Sequence, residues 1–404
     1  MAMGTTLIVG AGAAGLSAAI FSKAGRTLVL EQLSQPARKL LATGGGRCNV
    51  THSATIDDLR AEFGKRDRFV EPALSQFLPE DICELLFSNG VPTIIEEDGC
   101  VFPESGKALD VIQALYSAAE KNASFIYDCE VTELLVEAEH VVGVKTASGK
   151  VFHGDKVIFC TGGKCRRSLG STGAAYEMLS KHGIKITPLM PALAPIFLKE
   201  KWLAELSGIS CPNALLSAKG VEPISGAILF THTGISGPAA LAYSGQIAAR
   251  FAKAKEPYTL KLSYIADMLL QDWIDLFDSW RRPYGTSQVH TLLSKYLPKS
   301  LAKALCKQAG LEADTIVAYF NRGMTERLAE LCSGTKLTIS GLGDWESAMV
   351  THGGVSIKEI DPFSMESKSI KGLYVTGELV DVDAPCGGYN ITWALASGKL
   401  AAEQ

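Results

Sequence analysis

Thr5-Thr6-Leu7-Ile8-Val9-Gly10-Ala11-Gly12-Ala13-Ala14-Gly15 decides the fold. Five branched or apolar residues form a run suited to a buried parallel strand. A glycine turn follows at once, and Leu16 to Ala24 reads as an Ala-rich helix. Thr27-Leu28-Val29-Leu30 reads as a second strand, ending at Glu31. Strand, glycine turn, helix, strand and acid in this order form a complete dinucleotide fingerprint. Gly10 permits the tight turn, Gly12 lets backbone approach a pyrophosphate, and Gly15 lets helix and strand pack closely. Ala13 and Ala14 open the helix, whose free N–H groups and partial positive charge face the anion. Glu31, with Gln32 beside it, stands where a carboxylate accepts hydrogen bonds from a ribose diol and repels a 2′-phosphate.

Outward from this turn, the next segment is basic and rich in glycine. It carries Arg38, Lys39, Thr43, Gly44, Gly45, Gly46, Arg47, Cys48 and Asn49. Three successive glycines are poor in a helix or strand. They suit backbone lying against a flat ring or a phosphate. Phe125 to Phe159 reads as a β-meander with turns near Glu139-His140 and Ser148-Gly149, and Val131 on it joins the candidate cofactor contacts. The meander returns to the sheet and runs into Thr161-Gly162-Gly163. Near the other end, Leu373-Tyr374-Val375 enters Gly377-Glu378, with Asp381 one turn later. Gly387-Gly388-Tyr389-Asn390 then starts a helix read from Ile391 to Ala402. Such a helix can aim its dipole at the pyrimidine end of a flavin. A nucleotide strand at one end of the chain and a flavin-facing helix at the other select FAD over a nicotinamide cofactor. Glu378 and Asp381 share the expected role toward the ribitol chain.

The fold expected is α/β, a Rossmann-like FAD-binding domain of the glutathione-reductase kind over 1–187 and 351–404. It is interrupted by a β-barrel-like subdomain over 188–265 and 335–350, where Pro188, Pro191, Pro195 and Pro212 punctuate short strands. A small helical subdomain covers 266–334, with Ile265 to Leu270 and Leu301 to Leu305 as sample helices. In the insertion, Thr231, His232, Thr233 and Ser236 precede Pro238, a good first helical residue, and Ser236 is placed to cap it.

The 404 residues are 47% hydrophobic and 20% charged with a formal net charge of -4, an ordinary globular balance with no broad field for nucleic acid. Ten cysteines are scattered without a CxxC pair, which argues against metal and redox-dithiol sites and suits reduced thiols in the cytoplasm. The N-terminus lacks a basic leader pattern and no apolar run reaches membrane-spanning length, so no membrane association is expected.

Five stretches together resemble the BaiN/RdsA family of NAD(P)/FAD-dependent oxidoreductases: Gly10 to Gly15, Thr43 to Thr51, Leu229 to Pro238, Met365 to Lys368, and Gly377 to Asn390. The resemblance implies FAD chemistry, with members reducing carbon–carbon double bonds in steroid-like enones or making dihydrouridine in ribosomal RNA, and a related group oxidising amines such as aminoacetone. It departs from the family's usual pattern at Cys165, Arg167 and Ala174, where Ser, Pro and Asp are usual, and Arg166 and Arg167 could receive an anion. With no second glycine fingerprint, NAD(P)H is expected only as a transient electron donor. The substrate expected is a small molecule with a polarised double bond. RNA is the less favoured partner, needing a basic face from Lys164, Arg166, Arg167, Arg281, Arg282, Lys299, Lys303 and Lys307. Candidate proton donors are His232, His352, Tyr389 and Cys48, each in a glycine-rich segment expected near the flavin.

Overall fold

A computed structural model describes residues 4–251 and 257–404. The chain divides into two units, Met1–Pro191 with Ala348–Gln404, and Ala192–Ser347.

The first unit is a Rossmann domain built on a five-stranded parallel sheet. Its strand order is Leu373–Val375, Lys156–Phe159, Thr5–Val9, Arg26–Leu30, Ser124–Ile126. Every neighbouring pair is parallel, with Leu7 in register with Val157 and Leu28, and Ile158 with Tyr374. Strands buried on both faces need continuous apolar runs, which is what Leu7-Ile8-Val9 and Val157-Ile158-Phe159 supply; all six are 4% exposed or less. The sheet is closed by residues from both ends of the chain. Helix Ala13–Ile20 packs on helix Tyr389–Ala402 through small side chains, and the Ser17 hydroxyl donates to the Leu395 carbonyl at 2.6 Å. A Cβ on Gly398 would overlap the Ala14 carbonyl. The first helix starts and stops earlier than its reading of 16–24. Its last carbonyls include that of Ile20, which accepts the Asn122 amide at 2.6 Å. The meander after Ser124 is a three-stranded antiparallel sheet, Val131–Glu137, His140–Thr146 and Val151–His153.

The second unit holds a closed six-stranded barrel in the order Ile196–Leu198, Gly234–Ser236, Val221–Thr231, Ser210–Ala218, Thr259–Ser263, Thr335–Leu342. Bulges between Cys211 and Ala214 and between Phe197 and Leu198 break the register and bend the strands, as closure requires. Helices Leu270–Ser279, Val289–Leu293, Lys299–Gln308 and Arg322–Gly334 are inserted before the last barrel strand. The helix read over 265–270 is corrected: it begins at Leu270, because the Asp272 carboxylate accepts the Leu269 N–H at 2.8 Å and caps it there. Barrel and helices share one core around Tyr264, Trp273 and Phe277. The Rossmann unit has its own core.

Among the described residues no disulfide joins any of the ten cysteines, no group of side chains is arranged to hold a metal, and no helix is long and apolar enough to cross a membrane.

Candidate functional site

Two of the three fingerprint glycines are steric necessities. Gly10 has φ +99°, and a Cβ there would sit 2.7 Å from the Cys160 carbonyl oxygen. A Cβ on Gly15 would overlap the Gly10 carbonyl. Gly12 differs: its Cβ would meet nothing nearer than 4.0 Å. It precedes helix Ala13–Ile20, which has no side-chain cap and no acid in its first turn. The turn therefore leaves room and unneutralised N–H dipoles for an anion.

Glu31 is 7% exposed and lies at the end of the second strand. Its carboxylate accepts the Ala11 N–H at 2.7 Å and the Leu33 N–H at 2.9 Å. Burial raises its pKa, and the backbone donors oppose that rise. Each oxygen retains a lone pair for a ribose hydroxyl. Gln32 beside it donates to the Gly170 carbonyl, and Val131 is buried on the meander.

The basic loop is tied to the fingerprint by the Ala37 N–H, which donates to the Ala11 carbonyl at 3.0 Å. It makes a short helix, Arg38–Leu41, and a turn, Thr43–Gly46. Gly44, Gly45 and Gly46 all have positive φ, and nothing lies within 4 Å of a Cβ at the last two. Cys48 also has positive φ, +62°, and is fully buried. Burial pushes its thiol up to about 11, so it is an apolar filler rather than an acid or nucleophile. Arg38 is exposed and donates to Gln35 at 3.2 Å. Arg47 is drawn away to Glu96 at 2.5 Å and lies over the Phe102 ring.

At the far end of the sheet, both expected acids have protein partners. Glu378 pairs with Lys39 at 2.5 Å and accepts the Thr351 N–H at 2.9 Å. Asp381 pairs with Arg66 at 2.5 Å, and burial raises its pKa. Neither partner was read from the sequence. Gly163 sits under this group, where a Cβ would lie 2.5 Å from Glu378 Oε1. Asn390 organises its own loop: its Oδ1 accepts the Ala384 N–H at 2.9 Å and its Nδ2 donates to the Ala384 carbonyl at 2.7 Å. Gly387 and Gly388 have φ +137° and +92° and lead into a helix with no side-chain cap.

The four proton-donor candidates separate clearly. His232 and Thr233 form a tight turn between Val221–Thr231 and Gly234–Ser236 of the barrel unit, and His232 is exposed. Ser236 is in that second strand, with Gly237 between it and Pro238. The expected cluster at the helix start is thereby corrected, since one strand separates the turn from the helix. Tyr389 is 7% exposed and stacks on His52 at 4.9 Å, and burial pushes its phenol up to about 12. His352 is exposed over 49% of its side chain and bonds Asp383 at 2.9 Å. Arg166 and Arg167 differ in setting: Arg167 is exposed in a one-turn helix, while Arg166 has positive φ and points Nη2 at the Met349 sulfur, 3.4 Å away. The eight basic residues considered for RNA fall in both units, and Arg281 is spent internally on Asp278, the Phe320 carbonyl and Thr325.

Among the described residues, two buried side-chain oxygens of the Rossmann unit have no hydrogen-bond partner: Asn49 Oδ1, after the glycine turn, and Thr161 Oγ1, just past strand Lys156–Phe159. Unpaired buried polar atoms are costly, and a bound ligand is one way to satisfy them. With the open faces of Gly12, Gly45 and Gly46, they fit an extended dinucleotide.

The family described as HI0933-like protein Rossmann domain matches residues 4–404. A 3-dehydro-bile acid delta(4,6)-reductase of Clostridium scindens is 32% identical over 406 residues, covering 98% of this chain and 97% of that protein. A ribosomal RNA dihydrouridine synthase of Haemophilus influenzae is 30% identical, covering 98% and 97%. Among solved structures, a flavocytochrome c3 fumarate reductase in its open conformation superposes with a TM-score of 0.52 at 16% identity, over 99% of this chain and 77% of that one, a likeness of fold. The chain belongs to the HI0933-like Rossmann family and is an FAD-dependent oxidoreductase.

Proposed function

We propose that this oxidoreductase reduces a carbon–carbon double bond conjugated to a carbonyl in a small molecule, with NAD(P)H as a transient electron donor. The observation that carries the reading is the full-length similarity to two proteins named for such chemistry, a bile acid delta(4,6)-reductase and a synthase of dihydrouridine. Bound FAD would supply hydride chemistry between nicotinamide and substrate.

The chain's own part is to hold that group and to manage a proton. Glu31, Gln32 and Val131 would take the adenosine end. Gly10, Gly12, Ala13, Ala14 and the first helix would take the pyrophosphate. Thr43 to Gly46, Asn49, Thr161, Gly162 and Gly163 would line the ribityl and ring side, and Gly387 and Gly388 would bring the last helix to the pyrimidine. Of the donor candidates, His352 combines exposure with a fixed ring, whereas burial disfavours Cys48 and Tyr389 as proton sources. Ten scattered cysteines without a CxxC pair support a reducing, cytoplasmic setting.

The test is anaerobic. The flavin-loaded protein is mixed with NADH or NADPH and the flavin band is followed, then a 3-oxo-4,6-diene bile acid is added. Bleaching followed by recovery of the band is expected. Absence of bleaching with either nucleotide, and bleaching by aminoacetone instead, would replace the reading with an amine oxidase. Recovery only with ribosomal RNA would move the substrate to uridine.

A further inference from the structure

His352 ends the short strand Val350–His352, and the backbone on both sides of it is pinned. The Thr351 N–H donates to Glu378 Oε1 at 2.9 Å, and its hydroxyl accepts the N–H of Lys164 at 2.7 Å and of Cys165 at 3.3 Å. Beyond it, the Thr187 N–H donates to the Gly354 carbonyl at 2.8 Å and the Gly354 N–H returns to Thr187 Oγ1 at 3.0 Å. The Val355 N–H donates to the Leu379 carbonyl, and the Asp381 N–H to the Val355 carbonyl, both at 2.9 Å. Two segments from the end of the Rossmann sheet therefore run side by side, one carrying His352 and the other Asp383.

Only the side chain is left partly open. His352 Nδ1 meets Asp383 Oδ1 at 2.9 Å, and Asp383 is 24% exposed. A donated Nδ1–H sets the tautomer and turns Nε2 outward as the exchangeable position. The other charges facing the ring are Asp381 and Arg66, held to each other at 2.5 Å, so they add little net field. The hydrogen bond that His352 donates to Asp383 is the main cause holding the imidazole's pKa above its ordinary value, with partial burial opposing.

We propose that Asp383 is a positioning residue for His352, locking the ring so that Nε2 delivers the proton of the double-bond reduction. The inference rests on the reductase reading above. In that reaction a hydride originating on the nicotinamide adds to the β-carbon of the enone. The Nε2–H bond breaks and a C–H bond forms at the α-carbon. The N–H electron pair stays on Nε2, leaving a neutral imidazole that water reprotonates. Asp383 accepts the Nδ1 hydrogen bond throughout and keeps that proton in place, the arrangement by which a carboxylate orients a histidine in other acid–base sites.

The sign of the pH dependence follows. Proton delivery needs imidazolium, so the step is fast below the folded-state pKa of His352 and declines as pH rises through it. Asp383→Asn keeps an acceptor but removes the charge, so the decline moves to lower pH. His352→Gln removes the decline and slows the step by about 100-fold. Asp383→Glu restores the charge and returns the decline toward its original place.

The experiment uses holoenzyme with histidine-labelled rings, one of seven, assigned by loss of its signal in H352Q. The His352 titration is followed by NMR in wild type, D383N and D383E, and recovery of the flavin band on adding a 3-oxo-4,6-diene bile acid is timed against pH in all four proteins. Nucleotide-driven bleaching is timed separately and is expected to be equal in all four. A titration unmoved in D383N, or a pH decline that persists in H352Q, overturns the proposal. Failure of the wild type to bleach with NADH or NADPH overturns the reductase reading instead, and the separate timing tells the two apart.

Discussion

At the scale of single residues, the site is defined as much by missing atoms as by present ones. Gly15 has no room for a methyl group because the Gly10 carbonyl occupies its place. Gly15→Ala must push the first helix off the central strand, at a cost of about 1–3 kcal/mol. A lower thermal midpoint together with loss of bound flavin absorbance is expected. Retention of both would mean that the turn relaxes freely. Thr161→Val asks the complementary question. Its hydroxyl is buried and unpaired, so replacing it by an isosteric methyl should leave the apoprotein as stable or slightly more so. If the hydroxyl serves FAD, the same change weakens cofactor binding by about 1 kcal/mol, roughly fivefold in Kd. Flavin titration against apoprotein stability separates these effects, and equal losses in both would assign Thr161 a purely structural role.

At the scale of elements, legibility followed sequence distance. The glycine turn, the strand around it and Glu31 were legible because each requirement is local and steric. The return of Leu373–Val375 to the same sheet was legible from its apolar run and the glycine after it. The ion pairs were not: Lys39 and Glu378 are 339 positions apart and Arg66 and Asp381 are 315 apart, and no pattern links such partners. Glu378 and Asp381, expected to face the ribitol chain, each also balance a cation. Nor does the chain signal that His232 caps a hairpin, because Thr-His-Thr-Gly suits a helix entrance and a tight turn equally. The Lys39–Glu378 pair ties the basic loop to the end of the sheet, with side chains 25% and 18% exposed. Lys39→Met leaves the carboxylate with the Thr351 N–H, and should cost about 1–3 kcal/mol. A lower urea midpoint at constant slope is the expected reading. An unchanged midpoint would show that solvent satisfies Glu378 as well as lysine does.

At the scale of the whole molecule, the chain leaves the Rossmann unit once and comes back, and each unit closes over its own core. All the FAD-binding residues proposed above lie in the first unit, including those contributed by the last 57 residues of its discontinuous sequence, Ala348–Gln404. Cofactor binding should therefore stabilise one unit and not the other. At a hundredfold excess over Kd, a ligand adds about 2.7 kcal/mol to the state that binds it. For a unit of this size that raises the melting temperature by about 5–10 °C. A core truncation in the second unit acts on the other side: Trp273 is fully buried there, and Trp273→Ala should cost about 3–5 kcal/mol. Calorimetry with and without FAD, on wild type and W273A, is expected to show two transitions, one moved by the cofactor and the other by the substitution. A single transition moved by both would mean that the two units unfold as one cooperative block. The barrel would then support the flavin site through stability, and substitutions in its core would lower FAD content.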